Sequence, residues 1–158
     1  MNGTTDGRPA RVYLDTNVFI EAFEGRGRLA EMRNGLLLTG ADTDPPRFVT
    51  SELTVAELLV KPLRLGRHDL VRIYDEWTSQ SPYLEVVPVL RGTLRKAAVL
   101  RAGDTILKLP DAIHLTTAVT AGCGCFLTGD RRIRAPSGID VVVLDEPNLA
   151  MLLEATSS

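Results

Sequence analysis

The chain has 158 residues, 44% hydrophobic and 24% charged, the proportions of one globular domain long enough to bury a core without disulfide staples. Lysine and arginine number 18 against 20 aspartates and glutamates, a formal net charge of −2; this excludes nucleic-acid binding through overall positive charge and leaves any such affinity to local patches. No apolar stretch reaches the ~18 residues needed to span a bilayer, and the polar segment Met1–Pro9 reads as a disordered leader rather than a signal peptide.

Strand and helix patterns alternate from there on, which predicts one domain over 10–158 with a parallel sheet between helices, a three-layer α/β/α arrangement. Ala10–Leu14 is an apolar strand, and Asn17–Phe23 opens a short helix that Gly25 and Gly27 break before helical spacing resumes over Arg28–Leu38. Thr39–Pro46 is a loop of turn formers, Arg47–Thr50 a second strand, and Ser51–Lys61 a helix closed by Pro62. Arg67–Thr78 places Leu70, Ile73, Tyr74 and Trp77 on one helical face, with Trp77 expected in the core or an interface. Leu84–Val89 is a β-branched strand and Thr93–Ala102 a helix. Pro110–Ala121 is another, with proline early and Gly122 just past its end. Cys125–Thr128 and Asp140–Leu144 complete a sheet of about five strands, and a last helix covers Pro147–Leu153. Cys123 and Cys125 flank a single glycine; a bridge between them would be strained, the gap is not that of a zinc motif, and reduced thiols in a cytoplasmic protein are expected.

Four acids stand out against this frame. Asp15 and Asp130 each follow a strand, so both belong at the carboxyl edge where open α/β sheets keep their ligand sites. Asp111 opens a helix that runs antiparallel to the strands, which returns its N-terminus to that edge. Glu57 lies in the second turn of the helix after the second strand, among Val55, Ala56, Leu58 and Leu59. Each also has a local explanation. Asp15 is a good N-cap; Glu57 has capping-box spacing to Thr54 and ion-pair spacing to Lys61; Asp111 suits a helix dipole; Asp130 suits a turn. Taken together they form a set of hard oxygen donors, the chemistry of a Mg²⁺ or Mn²⁺ site.

The segments VYLDTNVFIEAF, TVAELL, LPDAIHLTTA and FLTGDRRI, in that order and spacing, resemble the PIN-domain family, and more narrowly its VapC-type ribonuclease toxins. The resemblance runs from about Arg11 to Leu144 and implies a Rossmann-like PIN fold and a metal-dependent endoribonuclease. Its acids fall on Asp15, Glu57, Asp111 and Asp130, with Asn17 and Thr128 in accessory polar positions. Asp15, Asp111 and Asp130 are then the metal ligands, Asp111 directly or through water, and Glu57 an aid to the nucleophile or a ligand through water. Lys108, Arg131 and Arg132 flank these acids and are candidates for phosphate contact, with Arg134 close behind. His114 is read as a packed or surface histidine and His68 as a surface one. The resemblance further implies an RNA substrate, a VapB-like antitoxin that obstructs the acidic site, and a homodimer; no membrane is expected. The apolar face between Arg28 and Trp77 is a candidate partner surface, although core packing explains most of it.

Four other readings compete. A non-toxin PIN nuclease of RNA processing and a PIN-like non-catalytic binding module share the fold, and the second has no need of four acids. Aspartyl-phosphate phosphatases also place an aspartate after the first strand, but require a second two residues later, where this chain has Asn17. A receiver domain would show an acidic pair and a later lysine that are not evident here.

Overall fold

A computed structural model describes residues 10–39 and 46–156; the expected leader and most of the loop before Arg47 lie outside them. The described elements run β1 (Val12–Leu14), α1 (Thr16–Glu24), α2 (Arg28–Thr39), β2 (Phe48–Ser51), α3 (Glu52–Arg64), α4 (His68–Gln80), β3 (Leu84–Val87), α5 (Arg91–Gly103), α6 (Leu109–Thr120), β4 (Cys125–Thr128), β5 (Asp140–Val143) and α7 (Glu146–Thr156). All five strands are parallel, in the order β3-β2-β1-β4-β5. The expected α/β/α layering is therefore present.

Strand alternation builds the two outer layers. Val12 and Leu14 of β1, with Phe48 and Leu127, pack under Val18, Phe19, Leu58, Leu70, Tyr74 and Leu149. The intervening Tyr13, Val49 and Phe126 face Ala97, Ala112, Leu115 and Ala118 on the other side. Side chains that alternate this way can satisfy two helix layers only when both faces are covered, which is the usual state of a parallel sheet. Leu29, Met32, Ile73 and Trp77 pack against the first of these cores, and the Trp77 ring meets Phe23 edge-on at 5.3 Å. The apolar face between Arg28 and Trp77 is thus largely interior. Among the described residues no helix is long and apolar enough to cross a membrane.

Two local expectations are corrected. Pro62 does not close its helix: α3 continues to Arg64 with Pro62 buried inside it. A proline forfeits one hydrogen bond to the carbonyl four residues back. So near the end of α3 the loss is small, and Leu65 N–H still reaches Lys61 O at 3.1 Å. Thr54 is not an N-cap either, since α3 begins at Glu52 after Ser51. Its hydroxyl lies 2.8 Å from Thr50 Oγ1, so no capping box forms with Glu57. Lys61 pairs with Glu24 at 3.6 Å, while Glu57 turns to His114.

Other ends move by a few residues for simple reasons. Pro88 stops β3 at Val87, because it has no N–H for a ladder. At the close of α6, Gly122 adopts φ +74°, the left-handed position that glycine fills without a Cβ penalty. Both cysteines are free, and burial pushes the Cys125 thiol up to about 11 and that of Cys123 to about 12. Neither is a reactive thiolate near neutral pH.

Candidate functional site

The strand order reverses at β1, with β2 and β3 on one side and β4 and β5 on the other. The carboxyl ends of β1 and β4 thus flank a topological switch point, where the diverging loops leave a crevice. Asp15 follows β1, and Thr128 ends β4 with Asp130 two residues on.

Asp15 is 5% exposed and carries two duties. One oxygen accepts the Thr16 N–H at 2.8 Å and caps α1. The other accepts from Thr128 Oγ1 at 2.7 Å and from Asn17 Nδ2 at 3.2 Å. The local cap expected from sequence is real, yet it uses only half of the carboxylate. Thr128 also accepts the Asp130 N–H at 3.0 Å, and Asn17 Oδ1 accepts the Gly129 N–H at 2.8 Å. One hydroxyl and one amide thereby tie the β1 turn to the β4 turn. Removing that hydroxyl with the near-isosteric Thr128→Val leaves buried polar groups short of a partner. It is expected to lower stability by about 1–3 kcal/mol, measurable by urea denaturation. A stability equal to wild type would show that the two turns are not coupled through Thr128.

The other acids come to the same edge in different states. Asp130 accepts Arg132 Nε and Nη2 at 3.0 and 2.8 Å and the Arg132 N–H at 2.9 Å. It is both a turn residue and an ion-pair partner, and these bonds hold its carboxyl below the usual aspartate range. The Asp111 carboxyl makes no hydrogen bond among the described residues. Burial, then the charges of Asp15 and Asp130, push it above the ordinary range. Half-burial opposes ionisation of Glu57, but the hydrogen bond and attraction of His114 and the Thr16 hydroxyl outweigh it and hold the group low.

Among the described residues, no three His, Cys, Asp or Glu side chains are already arranged as a metal cage. The bonds above supply the reason, because Asp15 is turned to Thr128 and Asn17, Asp130 to Arg132, and Glu57 to His114. The donor set nevertheless fits a hard divalent cation. A half-buried carboxyl without a donor, raised by neighbouring acids, is what a positive charge would relieve.

Two clefts meet at Asp130 and Arg132. The smaller, about 30 Å³, is lined by Ile106, Leu107, Lys108, Asp111 and Ile133 as well. The larger, about 380 Å³, adds Asn17, Glu21, Gly129 and Leu144. Lys108 and Arg132 therefore border the acids, whereas Arg131 is exposed and lines neither cleft. Arg134 and His68 are likewise exposed.

Of the two places expected for His114, the packed one is observed. It is 1% exposed, with Nε2 at 2.5 Å from Glu57 Oε1 and 3.9 Å from Asp15 Oδ1. Its Nδ1 lies 2.8 Å from the Tyr13 hydroxyl. Thr16, Tyr13 and Ser51, none of them singled out from sequence, complete this group. A signal was present: Tyr13 interrupts an aliphatic strand and His114 an apolar helix. Polar groups in core-facing positions require partners.

Comparisons with known proteins bear on the fold. The family model described as PIN domain matches residues 12–139, while no curated protein matches the chain. Among solved structures, the fold is similar to a toxin–antitoxin complex from Klebsiella pneumoniae, with a TM-score of 0.62 and 24% identity over 85% of this chain and 98% of that one. It is also similar to VapBC2 from Rickettsia felis bound to a promoter DNA fragment, with TM-score 0.60 and 14% identity over 85% and 98%. A third likeness is to the sarcin–ricin loop cleaving toxin VapC20 of Mycobacterium tuberculosis, with TM-score 0.58 and 15% identity over 73% and 86%. Identities this low establish a shared fold, whereas the family match spans most of the chain. The protein belongs to the PIN-domain family.

Proposed function

We propose that the protein is a Mg²⁺- or Mn²⁺-dependent endoribonuclease, the toxin of a toxin–antitoxin pair acting in the cytoplasm. The observation that carries this reading is Asp111. It is a half-buried carboxyl without a hydrogen-bond donor among the described residues, raised by burial and then by the charges of Asp15 and Asp130 at the β1/β4 switch point. Asp15, Asp111 and Asp130 would hold the ion, which when bound lowers the pKa of a water and relieves charge on phosphoryl oxygens. Thr128 and Asn17 orient Asp15 for that task. Glu57 would accept a proton from the attacking water, and Lys108 and Arg132 would neutralise the substrate phosphate. Those backbone contacts position RNA without reading its sequence.

The antitoxin and the toxin role are supported by the neighbours' identities as toxins and toxin–antitoxin complexes. Pairing of two copies is supported by exposed apolar side chains such as Val60, Leu63 and Leu65 at the end of α3. The test is incubation of the protein with mixed-sequence RNA and DNA pools, with Mn²⁺ or with a chelator. RNA fragments that form only with the metal are expected; fragments unaffected by chelation would refute the reading. A second outcome concerns Arg132. A cation must compete with it for Asp130, so Arg132→Ala is expected to shift the Mn²⁺ titration midpoint to lower concentration while raising KM for RNA. An unchanged midpoint would show that the two do not compete.

A further inference from the structure

Behind Glu57 lie an imidazole, a phenol and a hydroxyl that the proposed chemistry leaves unused. His114 comes from α6, on one face of the sheet, and Glu57 from α3, whose Leu58 packs in the core of the opposite face. They meet above the carboxyl edge at 2.5 Å. Tyr13 reaches the far side of the ring at 2.8 Å and donates to Ser51 Oγ at 2.9 Å. Tyr13 and Ser51 are fully buried, and Tyr13 also stacks on Phe126 at 5.4 Å.

We infer that His114 and Tyr13 are positioning residues that hold Glu57 in register with the acids of the other strands. The inference rests on the nuclease reading of the same site. A ring turned by half a revolution would set carbon atoms against both the carboxylate and the phenol, so the two contacts lock the imidazole. The locked ring and Thr16, whose hydroxyl lies 2.9 Å from the same oxygen, fix Oε1 of Glu57. No other hydrogen bond engages Glu57 among the described residues, and its side chain is 37% exposed, so the second oxygen is left for the site. Packing alone does not account for the arrangement. Leu or Phe would fill these positions without the desolvation cost of three polar groups. Hydrogen-bond partners behind a catalytic shell serve to orient it.

The test compares His114→Leu, which fills the space without a donor, with His114→Gln, which restores an amide N–H toward Glu57. Turnover of RNA by the Leu variant is expected to fall about 10- to 100-fold, with KM unchanged, and the Gln variant to recover most of it. Equal turnover in the two variants, whether both high or both low, would overturn the inference. Should the Leu variant fail to fold, Tyr13→Phe, which keeps the ring stack, takes its place; wild-type turnover there would overturn the role of Tyr13. An arm independent of activity uses NMR of the metal-free protein. The His114 imidazole N–H is expected to be protected from exchange and to shift in both Glu57→Gln and Tyr13→Phe. Absence of cleavage by the wild type would refute the nuclease reading, and the NMR arm would still decide the anchor, with an unmoved signal overturning it.

Discussion

Replacing Asp15 with Asn is expected to cut RNA cleavage by roughly 10²- to 10³-fold or more while the protein stays folded, because each lost ~1.4 kcal/mol of transition-state stabilisation is tenfold in rate. The two effects separate because Asp15 does two things. Its cap to Thr16 N–H needs one oxygen, which Asn also has. Its other oxygen accepts from Thr128 and Asn17; there Asn presents either an amide facing two donors or a flipped cap. The structural penalty is therefore that of a strained buried hydrogen bond, about 1–2 kcal/mol. The chemical penalty is the loss of a negative charge at the centre of the acid cluster. Initial rates and thermal melts on the same preparations measure both. A rate loss no larger than the unfolded fraction explains would remove Asp15 from the chemistry.

Asp111→Asn should show the opposite coupling, a gain in metal-free stability together with loss of cleavage on the same scale. Burial and the charges of Asp15 and Asp130 raise the Asp111 carboxyl in the folded state. The folded protein therefore holds that proton more tightly than the unfolded chain does. The stability tied to it is fully present below the ordinary aspartate range and is lost as pH rises through the raised value. At neutral pH the wild type thus carries a charge that its own neighbours oppose, and Asn removes it. The variant should melt higher than wild type near pH 7 without metal, and the gap should close as pH falls below the ordinary aspartate range. Glu57 and Asp130 behave the other way, since their lowered carboxyls lose stabilisation as pH falls through them. Added Mn²⁺ should stabilise the wild type and leave Asp111→Asn nearly unmoved. A variant that melts lower than wild type at neutral pH and gains equally from Mn²⁺ would contradict the account.

The frame of the fold was legible because its signals are periodic and local. The apolar strand before Asp15, the run before Asp130 and the proline-to-glycine punctuation of α6 each specify an element without reference to the rest of the chain. Parallel pairing then sets Asp15 and Asp130 at one edge, and α6 returns Asp111 to it. Where the reading failed, the deciding term was tertiary. Pro62 reads as a stop, but near a helix end its missing N–H is a small loss and burial holds the turn. Thr54 and Glu57 have the spacing of a capping box, yet α3 begins two residues before Thr54, so the Thr54 hydroxyl goes to Thr50 and the Glu57 carboxylate to His114. His114 is legible as a packed histidine, but its partners are not. Its neighbours in sequence are apolar, and the groups that satisfy it, Tyr13 and Glu57, lie 101 and 57 residues away. No local pattern reports a bond of that range; only the cost of burying an imidazole hints at it.

On the proposed reading, the acids at the β1/β4 switch point form a metal-dependent nuclease site. The deciding measurement is cleavage of a mixed-sequence RNA pool across a Mn²⁺ titration, with wild type and Asp15→Asn side by side. Fragments are expected to increase with Mn²⁺ for the wild type and to stay near background for the variant at every concentration. The same trace activity in both proteins, indifferent to the metal, would contradict that reading.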